Sequence, residues 1–90
     1  MSIERENSIL EKISIMIDML MGMFGITYTL GYSLIRRSNL FRLLISGDYS
    51  TLYDSPQASL IELGKEPQFL KYNINEDSVV NYMLSISKLN

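Results

Sequence analysis

Apolar residues recur along the first stretch of the chain as Ile3, Leu10, Ile13, Ile17, Leu20 and Phe24, while Glu4, Glu11 and Asp18 fall seven apart on another face. Steps of three, four and seven follow the helical turn, so this pattern predicts an amphipathic helix from near Ile3. Ser8, three before Glu11, has the capping-box spacing, and Ser2 offers an earlier start. Ile9, Met16 and Met23 widen the stripe, as a globular bundle needs and a bare coiled coil does not.

Beyond Asp18 the polar face vanishes, and the seventeen residues from Met19 to Ile35 carry no charge. Gly22, Gly25 and Gly31 lower helix propensity there, which predicts a break near Gly22 to Gly25 and a second helix over 26–37. The β-branched and aromatic run Ile26 to Thr29 admits a short strand at 24–30 as the competing expectation. Ser38 is placed to cap a third helix through Asn39 to Ile45, which Gly47 closes with a left-handed residue. Asp48 to Tyr53 reads as loop or a single turn.

Ser55 followed by Pro56 starts a fourth helix, and Gly64 with Pro67 stops it, giving 56–63. Asn75 before Glu76 and Asp77 starts a fifth, roughly 76–88, with Val79, Val80, Tyr82, Met83, Ile86 and Leu89 as its apolar stripe. The expected architecture is all-α: one domain, 1–90, folded as a small irregular or orthogonal bundle of four to five helices around the first.

Composition narrows the chemistry. Ninety residues, 47% hydrophobic and 20% charged, can bury one modest core. The chain has no cysteine and no histidine, which removes thiolate nucleophiles, imidazole bases and the usual zinc and haem ligands. Of the remaining acids, Glu76 with Asp77 falls in a helix's first turn and Glu62 with Glu66 flanks a helix stop, places that acids occupy without any catalytic task. No phosphate loop, serine elbow or metal-ligand spacing occurs, so the expectation is a non-enzyme without cofactor or metal. The N-terminal stretch is mixed in charge, unlike a secretory signal, which makes cytoplasmic residence the expected location.

Charge is divided along the chain. Residues 1–18 carry four acids and two bases, 19–47 only Arg36, Arg37 and Arg42, and 48–90 six acids and three bases. A net charge of −2 argues against a dedicated nucleic-acid binder. The three arginines with Asn39 suit a phosphate or carboxylate contact, or simply a solvated helix junction.

The segment Asp48 to Pro56 is the most interface-like, because Tyr49 and Tyr53 supply large area with few rotors and the acids beside them complement a basic target. The same tyrosines could instead clasp the core. Short, acidic, helical and tyrosine-bearing, the chain resembles in general character the small immunity proteins that block bacterial nuclease toxins, a likeness of type without a shared motif. That resemblance implies a stoichiometric inhibitor that neutralises a toxin or enzyme, with Asp48, Tyr49, Tyr53 and Asp54 as partner contacts and Glu62 and Glu66 at the rim.

Two further expectations concern the apolar middle. The methionines at 16, 19, 21 and 23 could build a twofold homodimer face. Residues 19–35, bounded by Asp18 and Arg36-Arg37, could alternatively form the single span of a small membrane protein, at the short end of the workable length.

Overall fold

A computed structural model of the chain describes residues 3–89; the side chains of residues 49, 50, 88 and 89 are not among those described. The described residues form an all-α bundle: α1 Ile3–Phe24, α2 Tyr28–Arg36, α3 Asn39–Ser46, α4 Tyr49–Tyr53, α5 Pro56–Leu63, a 3-10 helix Pro67–Tyr72, and α6 Glu76–Leu89.

Helix α1 is central, packing against α2, α4 and α5. Its apolar stripe supplies Ile9, Ile13, Met16, Ile17, Met19 and Leu20 to the core, where they meet Ile35 of α2, Leu44 of α3, Leu60 and Leu63 of α5, and Phe69 of the 3-10 helix. Burying a side chain of this size contributes roughly 1.5–3 kcal/mol. Met16 and Met19 are therefore interior within one chain, and Met21 and Met23 pack partly buried against the same core. Of the expected Met16 to Met23 homodimer face, Met16 and Met19 are thus taken into the core of one chain.

The break expected between Gly22 and Gly25 falls at Gly25. Its φ of +66° lies in the left-handed region that glycine enters without a Cβ clash, and the chain there leaves α1. Thr27 then caps α2, its hydroxyl accepting from the Leu30 amide at 3.1 Å. Because Thr27 holds extended backbone outside the helix, α2 starts at Tyr28, two residues later than the apolar run suggests. The described residues contain no strand, so the alternative at 24–30 is not adopted.

The single membrane span over 19–35 is overturned by the same geometry. Those residues are divided between two helices that pack on each other, and no described helix is long and apolar enough to cross a membrane.

Expected caps at Ser38, Ser55 and Asn75 receive the amides of Phe41, Ala58 and Ser78. Gly47 closes α3 in the left-handed conformation. Ser8 is no cap; it lies inside α1, and its hydroxyl donates to the Glu4 carbonyl. Ser2 falls outside the described residues.

Gly64 ends α5 for a different reason from the one its position suggests. Its backbone stays right-handed, but a Cβ there would stand 2.6 Å from the carbonyl oxygen of Ile74. The glycine is needed for close approach, letting the chain entering α6 lie against the end of α5.

The 3-10 helix is the element the sequence pattern misses. It begins at Pro67, which reads as a stop for one helix and sits at the first position of the next. It buries Phe69 completely, and Tyr72 stacks tilted on both Phe24 and Phe69, at 5.1 and 6.2 Å between centroids.

Candidate partner-binding surface

Lys12 lies in the middle of α1's apolar stripe, with Ile9, Ile13 and Met16 around it at helical spacing, and it is buried. A buried ammonium needs acceptors. Lys12 Nζ finds them 39 and 42 residues away, donating to the carbonyl oxygen of Thr51 and, at 2.7 Å, to that of Asp54. Both carbonyls stand at the C-terminal end of α4, where a cation offsets the helix dipole. Burial lowers the Lys12 pKa from its ordinary value, and the negative charge of Asp54 opposes that shift.

The other end of α4 is closed by Asp48. Its carboxylate accepts from the Thr51 amide at 3.1 Å, and its carbonyl accepts from the Leu52 amide at 3.1 Å. Thr51 and Leu52 are buried, Leu52 as part of the core. This one-turn helix is thus held by a carboxylate at its start, a lysine at its end and an apolar side chain beneath.

What α4 presents outward is Tyr53, 78% exposed, followed by exposed Asp54. Tyr53 therefore does not clasp the core. The side chain of Tyr49 is outside the described residues. Asp48 is half-buried and serves as a cap.

Glu62 and Glu66 have a separate setting. They line a cleft of about 250 Å³ with Asn39, Leu40 and Leu43, between α3 and the end of α5. Glu66 uses both carboxylate oxygens there, accepting from the amides of Asn39 at 2.7 Å and Leu40 at 3.2 Å. It caps the α3 N-terminus from 26 residues away, a place where a carboxylate is stabilised by charge-assisted hydrogen bonds. Exposed Glu62 pairs with Lys65 at 2.9 Å. Glu76 and Asp77 sit in the first turn of α6.

Of the six residues the sequence singles out, then, Tyr53 on α4 is flanked by Asp48 before the helix and Asp54 after it, with Glu62 and Glu66 lining a different cleft. The residue that makes the α4 surface possible, Lys12, was not among them. Its signal was present as a lone lysine inside the stripe Ile9, Ile13, Met16. No family model matches this chain, and no curated protein or solved structure is significantly similar to it.

Proposed function

We propose that this chain is a non-catalytic protein-binding module, most concretely a stoichiometric inhibitor or immunity-type protein that neutralises a toxin or enzyme in the cytoplasm. The observation that carries this reading is the presentation of Tyr53, a highly exposed aromatic on a one-turn helix fixed at both ends by Asp48 and Lys12. Binding is costly when loops must be ordered, and a pre-set aromatic anchor avoids that cost. Asp54 beside it favours a partner whose matching surface is basic.

The test begins with co-purification from the native host, and with the gene beside this one, since an inhibitor is commonly encoded next to its target. Against the protein so identified, replacing Tyr49, Tyr53 and Asp54 by alanine is expected to weaken binding at least tenfold while the melting temperature stays put. Unchanged affinity would remove α4 from the contact surface. A matching drop in melting temperature would make these residues structural instead.

Self-association remains a second reading at a different place from the methionine face. Exposed Leu10 and Ile45, with Ile9 and Glu6, line a groove of about 370 Å³ between α1 and the end of α3. Sedimentation at low micromolar concentration distinguishes a 10.4 kDa monomer from a dimer.

A further inference from the structure

The α2 side of the molecule differs electrically from the α4 surface. Asp18 is the last acid before it in the chain and Asp48 the next, so the stretch between contributes only Arg36, Arg37 and Arg42. All three arginines are exposed, and none is held by an ion pair among the described residues. Arg36 closes α2 and Arg37 is its C-cap residue. With Thr29, Tyr32 and Ser33 they line a cleft of about 380 Å³. It therefore offers two guanidinium forks and three hydroxyls to one ligand, a donor set that suits phosphate oxygens. Flanking this polar strip, Tyr28 and Leu30 are exposed on the same short helix.

We propose that the α2 face docks this protein on an anionic phospholipid surface, with Arg36 and Arg37 at the phosphate level and Tyr28, Leu30 and Tyr32 in the interfacial zone. Charge complementarity selects this occupant. A nucleic acid held at physiological salt calls for more phosphate contacts than three arginines supply. A lipid surface needs only a small basic patch, and it solvates tyrosine and leucine at the boundary where water alone does so poorly. The acids Glu4, Glu11 and Asp18 share another face of the long helix α1, and Asp54 follows α4. Glu66 does reach the Asn39 and Leu40 amides just past Arg37, but both its carboxylate oxygens are engaged there and the arginines outnumber it, so the net charge of −2 coexists with a basic α2 face. The attraction acts within about 10 Å at 0.1 M salt, so it is confined to the surface that α2 itself presents. This proposal does not depend on the role of α4.

Co-sedimentation of the full chain with vesicles decides it. Binding is expected to vesicles of phosphatidylcholine with about one-third phosphatidylglycerol, not to phosphatidylcholine alone, and to be lost at high salt. R36Q with R37Q should weaken binding about thirtyfold, the equivalent of about 1 kcal/mol per charge, with an unchanged circular dichroism spectrum. R36K with R37K, which keeps the charges, should bind within threefold of the parent. Equal binding to neutral and anionic vesicles would overturn the proposal, as would full binding by the glutamine pair. Loss of binding in the lysine pair would also overturn it, in favour of a stereospecific phosphate pocket. Preferential binding of a single-stranded RNA oligomer in competition with the anionic vesicles would replace it with nucleic-acid recognition.

Discussion

Helices α1 and α6 both advertise an apolar stripe in sequence, yet the fold treats them differently. Helix α1 buries seven residues, from Ile9 through Leu20, whereas among the described side chains of α6 only Val79 is buried. The reason is neighbours. Helix α1 lies among α2, α4 and α5, while α6 packs chiefly on α5 and sends Tyr82 onto Gly22, leaving Val80, Met83 and Leu84 in solvent. Helical periodicity marks which face is apolar; only topology decides whether anything covers it.

The sharpest test of this contrast uses one chemical change in two places. Leu20→Ala, at a fully buried position, is expected to destabilise the chain by about 3 kcal/mol, whereas Leu84→Ala, at 55% exposure, should stay within about 0.5 kcal/mol in urea unfolding. A cost for Leu84→Ala approaching that of Leu20→Ala would mean that α6 is covered after all.

A smaller effect is expected from the one polar member of the α1 stripe. Lys12→Ala leaves the carbonyls of Thr51 and Asp54 without their donor and opens space in the stripe, at a cost of roughly 2 kcal/mol. Lys12→Met restores the packing but not the hydrogen bonds, and should recover only part of that loss. Complete recovery with methionine would assign the whole contribution of Lys12 to its alkyl stem.

The smallest effect is a dependence on pH. The folded-state pKa of Lys12 lies below its ordinary value of 10.5, so on alkalinisation the folded chain releases this proton before the unfolded chain does. Where the unfolded state holds more protons, stability rises with pH. Between the lowered pKa and 10.5, the Lys12 contribution should therefore increase stability as pH rises, and below that window it should be flat. Comparing urea midpoints of the parent and Lys12→Met at pH 8 and pH 10 isolates it from the tyrosines. A contribution that falls with pH would mean that the charged ammonium is favoured in the fold.

Local chemistry made most of the helices readable. Ser38, Ser55, Asn75 and Gly47 each act at a helix end within four residues of themselves, so their signals are complete in sequence. The 3-10 helix was not readable, because Pro67 is equally a stop for α5 and a start for Pro67–Tyr72, and a helix so short has no period to measure. Glu66 caps α3, 26 residues upstream, a role that its own neighbours in the chain do not announce. The α4 segment was legible as tyrosine-rich and acidic, but the lysine that satisfies its carbonyls is Lys12, a contact that spans 39 residues. The structure was least legible where a side chain works across the fold and not along its own helix.

That long-range contact makes α4 conditional on everything upstream of it. Five residues are too few to nucleate a helix in water, and the cation that closes this one arrives only when α1 has docked. The loop between them must be closed first, at an entropic cost that the core of α1 to α3 has to meet. An incompletely folded chain therefore cannot display Tyr53 in its native setting. By linkage the relation runs both ways: a ligand that seated on α4 would bind only the folded state, and it would stabilise the whole bundle by an amount that grows with the logarithm of its concentration over its Kd.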